Sequence, residues 1–106
     1  MRRFKLSASG DRGWFIGDFD RAVYRTKDFE VNYRENPKGK EATHVHKLLT
    51  EITLVLTGKL VVNGELCEPG DIYVLDPGNI SQIEYLEPSN TVTIKTPSIP
   101  DDKHYL

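Results

Sequence analysis

The sequence predicts an all-β fold, a series of short strands closed into a barrel or sandwich. Three observations lead there. Glycine, proline, asparagine and aspartate punctuate the chain at short intervals. The apolar residues between these turns alternate with a period of two, and almost no stretch carries the 3.6-residue spacing of an amphipathic helix. At 106 residues the chain suits one domain, spanning 1–106, with room for a single core but not two.

Taken in order, Phe4-Lys5-Leu6 and Gly13–Gly17 read as short strands bounded by Ser7–Asp11 and Gly17-Asp18, with Trp14 as a core aromatic. Phe29–Tyr33 alternates and places Phe29, Val31 and Tyr33 on one face. Asn36–Lys40 is a loop, because Pro37 and Gly39 interrupt it. The central strand is Glu51–Thr57: Glu51, Thr53 and Val55 share one face, and Ile52, Leu54 and Leu56 the other. The second face is wholly apolar and needs a cover, either the N-terminal strands or a second subunit in a homodimer. Lys59–Val62 and Glu65–Cys67 flank Asn63-Gly64, the strongest hairpin signal in the chain. Ile72–Leu75, Ser81–Leu86 and Thr91–Thr96 are the remaining strands. Pro97 and Pro100 keep the middle of the tail out of any sheet, and His104 there is expected to be solvated.

Composition narrows the function classes. Fourteen Lys and Arg against sixteen Asp and Glu give a net charge of −2 with both signs scattered, so there is no basic footprint for nucleic acid. Hydrophobic residues make up 38% and charged residues 28%, and the longest apolar run is too short to span a bilayer. No basic-then-apolar signal opens the chain, and the lone Cys67 cannot form an internal disulfide. The expected location is the cytoplasm.

The chemistry concentrates in His44–Gly58. His44 and His46 are two apart, so on an extended segment both side chains leave the same face, and Glu51 adds a carboxylate. Two imidazoles and one carboxylate are a ligand set for a divalent metal with open positions. The order His44-x-His46, four residues, Glu51, six residues, Gly58 resembles the first motif of the cupin family, with Gly39 one place from a further family glycine. Pro69–Gly78 resembles the opening of the second, with Asp76 where a proline is usual. The two motifs cover 44–58 and 70–85.

That resemblance implies a single-domain cupin β-barrel, a double-stranded β-helix or jelly roll, in which His44, His46 and Glu51 hold one divalent ion: iron, manganese, nickel or zinc. Metal-binding members with four side-chain ligands carry a third histidine where this chain has Ser81, and a serine hydroxyl is a poor ligand by comparison. Ser81 and Tyr85, with Ile83 between them, should face the barrel interior as pocket residues. Two readings of the missing histidine stand: a three-ligand site with free positions, or a polar triad that has lost its ion and only hydrogen-bonds. The resemblance implies action on a small polar molecule, by dioxygenase, isomerase or lyase chemistry, without choosing among them. The alternative is a non-catalytic ligand-binding or sensor barrel. Phosphate loops, a Ser-His-Asp set, Cys-x-x-Cys and HExxH are all missing from the sequence.

Overall fold

The computed structural model describes residues 1–106. One wall is a six-stranded sheet in the order β2-β1-β3-β12-β6-β9. Its strands are β1 (Trp14–Gly17), β2 (Tyr24–Arg25), β3 (Glu30–Asn36), β6 (Thr50–Thr57), β9 (Ile72–Leu75) and β12 (Ser89–Thr96). The opposite wall has two parts. One is a four-stranded sheet, β4 (Gly39–Lys40), β11 (Ile83–Tyr85), β7 (Leu60–Val62) and β8 (Glu65–Cys67). The other is three-stranded, β10 (Ile80–Ser81), β5 (His44–Val45) and β13 (His104–Tyr105). No helix is long and apolar enough to cross a membrane.

The walls meet through an apolar cluster confined to one end of the barrel: Val55 from β6 against Leu60, Val62, Cys67, Ile83 and Tyr85. Strand β6 divides the interior, because its inward phase runs from charged Glu51 through Thr53 to Val55. At about 3.3 Å per residue those ends lie roughly 13 Å apart. The apolar end closes the barrel and leaves the other end polar and open. Gly58 lets β6 stop there. Its φ is +93°, and a Cβ at this position would sit 2.6 Å from Ser89 Cα. The expected hairpin forms at Asn63-Gly64, with φ of 49° and 84° as a type I′ turn requires.

Four expectations about the elements need correction. Asn36–Lys40 is not a loop throughout: β3 runs on through Asn36, and Gly39 and Lys40 pair with Tyr85 and Glu84 as β4. Phe4-Lys5-Leu6 is not a strand; the chain makes a 3-10 turn over Leu6–Ala8, closed by the Ser9 hydroxyl donating to the Lys5 carbonyl at 2.7 Å. Phe4 and Leu6 stay exposed, since neither reaches a strand edge. Ser81–Leu86 is broken at Gln82, whose N–H donates to Asn63 Oδ1 at 2.8 Å, tying it to the hairpin instead of a ladder. The tail ends in a strand: His104 and Tyr105 pair with Val45 and His44. His104 is accordingly half-buried, with its Nε2 3.2 Å from an Asp102 oxygen.

The apolar face of β6 is not covered by the N-terminal strands, which extend the sheet edge beyond β3 rather than crossing its outer side. Register continues the stripe sideways in two rows, Val31–Ile94–Ile52–Val74 and Tyr33–Val92–Leu54–Ile72.

Candidate metal centre

His44 on β5, His46 just beyond it and Glu51 at the start of β6 converge, with one ligand atom from each lying within 4.8 Å of the others. What folds them together is the intervening loop. The amides of Lys47, Leu48 and Leu49 all donate to the carboxylate of Asp102, at 3.0, 2.7 and 3.0 Å, so the chain reverses around one buried anion. Burial works to raise the Asp102 pKa, but those three amides overcome it and hold the carboxyl below its ordinary value.

The two imidazoles are set up differently. His44 Nδ1 lies 2.9 Å from the Ala42 carbonyl, a contact that requires Nδ1–H to donate and leaves Nε2 with its lone pair free. His46 Nε2 is buried with no hydrogen-bond partner. An orphaned buried polar atom of this kind costs about 1–3 kcal/mol, which a bound ion removes. Burial lowers the pKa of both rings, His46 to about 4 with help from Lys95, so both are neutral donors at pH 7. The Glu51 carboxyl is pushed up by burial, offset in part by Lys95. Neutral, unpartnered nitrogens and a carboxylate short of counter-charge fit a divalent cation.

Beside this cluster lies a cavity of about 550 Å³. Its floor is a grid in register: Glu30, Lys95 and Glu51 across β3, β12 and β6, then Asn32, Thr93 and Tyr73 one row along, with Thr53 buried between the last two. Thr53 and Thr93 hydroxyls are 2.9 Å apart, and Tyr85 donates its hydroxyl to Glu41 Oε1 at 3.2 Å. Ser81 is 2% exposed, pairs with His44 across β10 and β5, and has an unpartnered Oγ. Ser81, Ile83 and Tyr85 thus share the buried side of their strands, as their spacing predicts.

Trp14 departs from expectation. It is half-buried at the cavity rather than in the core, because a bulge in β1 sets Trp14 against inward-facing Asn32 and Ile16 against outward-facing Val31. Thr93 and Lys95 line the cavity, whereas Tyr33 faces out. Sequence reasoning missed Glu30, Asn32, Glu41 and Asp102, and it left the facing of Lys95, Thr93 and Tyr33 open, with ordinary surface or core as their expected role. The signal for Glu30, Asn32 and Lys95 is the polar phase of β3 and β12, since they share inward rows with Glu51 and Thr53.

The sequence matches no family profile and no curated protein. Solved structures do match. KdgF from a Halomonas species is 26% identical, with 72% of this chain and 74% of that one covered at a TM-score of 0.66. A double-stranded β-helix protein from Klebsiella pneumoniae is 22% identical, with 92% and 85% covered at 0.66. A cupin protein from Bacteroides fragilis is 25% identical, with 76% and 75% covered at 0.57.

Proposed function

The chain folds as a cupin, and from that premise we propose that it binds one divalent metal ion through His44, His46 and Glu51 and takes a small polar molecule into the adjoining cavity. The observation that carries this is the unpartnered, buried His46 Nε2 within 4.8 Å of the other two donor groups. A divalent ion supplies Lewis-acid polarisation of ligand oxygens when bound. The protein's own residues supply the rest. Asp102 and the Ala42 carbonyl orient the ligand-bearing loop and ring. The Tyr85 hydroxyl, pushed up by burial, stays protonated, donates to Glu41 and leaves its oxygen as an acceptor at the cavity. Ser81 Oγ offers a further hydrogen bond next to His44. We propose a cytoplasmic location, supported by the single free cysteine, Cys67. A homodimer formed through the outer apolar rows is proposed on the exposure of Ile72 and Val74.

Elemental analysis of protein purified without chelator or metal-affinity resin tests the metal. The expected result is about one equivalent in the wild type and none in a His44→Ala, His46→Ala double variant. A wild type that stays empty after incubation with iron, manganese, nickel and zinc in turn overturns the proposal.

A further inference from the structure

Lys95 is buried, 9% exposed, and lines the cavity. A buried lysine is expected to meet a carboxylate. None of the chain's ion pairs uses Lys95, and its ammonium has no side-chain hydrogen bond; its close neighbour is the Trp14 ring, 4.9 Å from Nζ to the centroid. Neither flanking carboxylate reaches it at ion-pair distance. Glu30 accepts from the Ser98 hydroxyl at 2.9 Å, and Glu51 belongs to the histidine cluster.

We propose that Lys95 anchors an anionic group, so that the molecule entering the cavity is a small hydroxylated oxyanion, a carboxylate or a phosphate. An ammonium has three donors and no acceptor, and an oxyanion is all acceptor. Arg12, Arg21, Arg34 and Lys103 also line the cavity, against Asp11, Asp20, Glu30, Glu41 and Glu51, so the attraction for an anion is local to the unpaired Lys95 ammonium and not a property of the whole cavity. The hydroxyl requirement comes from Asn32, 2% exposed, whose Oδ1 has no donor. Asn32 is paired with Thr93, and Glu30 with Lys95, so Asn32 lies two residues along the same inward face from the backbone position of Lys95. Those backbone positions are about 6.6 Å apart, a separation that a short hydroxy acid or hydroxylated phosphate ester spans. Trp14 beside the ammonium supplies an apolar surface for the ligand's carbon skeleton. This inference deepens the proposed function, resting on the cavity as the ligand site but not on the ion.

Trp14 is the only tryptophan and serves as the reporter. Glycolate, inorganic phosphate and neutral ethylene glycol are titrated against its fluorescence in the wild type, Lys95→Met and Lys95→Arg, each metal-free and metal-loaded, with metal content measured on the same samples. Glycolate or phosphate is expected to saturate in the wild type, with ethylene glycol silent. Lys95→Met should weaken the anion about tenfold or more, and Lys95→Arg should retain most of the affinity. The better of the two anions identifies carboxylate or phosphate. Equal responses to glycolate and ethylene glycol, unchanged affinity in Lys95→Met, or no saturation by either anion overturns the proposal. The charge comparison within the wild type decides even if Lys95→Met does not fold. An empty metal site with Lys95-dependent anion binding intact sinks the metal reading alone, and a loaded site without Lys95 dependence sinks this one alone.

Discussion

His46 is where burial, charge and ligation meet in one side chain. It is 3% exposed, Lys95 adds a repelling charge, and its pKa falls from 6.5 to about 4. The unfolded chain therefore holds this proton more tightly than the folded one. Its contribution to stability is fully present above pH 6.5 and is lost as the pH falls towards 4. The whole shift corresponds to about 3 kcal/mol, and water in the cavity screens part of it, leaving roughly 1–3 kcal/mol. Urea midpoints of the metal-free protein between pH 7 and pH 4 measure this directly. The wild type should lose stability through that window more steeply than His46→Gln, and parallel curves would remove His46 as the cause. The same protonation competes with a cation for Nε2, so metal release should follow over the same range.

At the scale of elements, the tail acts as a strap across the loop between His46 and Glu51. Asp102 gathers the amides of Lys47, Leu48 and Leu49, and β13 then pairs with β5, which carries His44. Asp102→Ala leaves three amides without their acceptor, and we expect a loss of roughly 2–4 kcal/mol in urea unfolding together with weaker metal binding. Asp102→Asn, which keeps one acceptor oxygen, should fall between. An Asp102→Ala protein with wild-type midpoint and metal affinity would show the strap to be incidental. This element lay beyond sequence reading, because two prolines mark the tail as irregular and nothing local says that Asp102 reaches a loop more than fifty positions earlier. The clustering of His44, His46 and Glu51 was legible because their spacing is short: the histidines stand two apart at β5, and Glu51 follows near the start of β6. The hairpin at Asn63-Gly64 was legible for the same reason, its turn chemistry being local. Which phase of β3 points inward was not, since alternation fixes two faces without saying which is buried. Only the pairing of β3 with β12, and of β12 with β6, carries the orientation of Glu51 across to Lys95 and Glu30. Trp14 was misread because a one-residue bulge re-aims a side chain without leaving a mark in the alternation.

Over the whole molecule, the six-stranded sheet is inverted relative to an ordinary sandwich. Its inner face carries Glu30, Asn32, Glu51, Thr53 and Lys95, and its outer face carries the two apolar rows that run from β3 to β9. A sheet that gives its inner face to a polar cavity has only its outer face left for apolar burial against a large partner. The exposure of Ile72 at 63% and Val74 at 52%, beside half-buried Ile52 and Leu54, marks that face as unfinished in a lone chain. A second copy is the partner that completes it most simply, because two equivalent sheets bury the same rows on both sides of a two-fold axis. Light scattering behind size exclusion should give twice the 12.1 kDa chain mass for the wild type. Val74→Glu places a charge at the β9 end of the proposed interface and leaves the inner face alone, so it should yield the 12.1 kDa species with its metal and anion binding unchanged. A wild type that runs as the single chain at the highest soluble concentration would leave those rows without a second copy, and Val74→Glu would then change nothing but solubility.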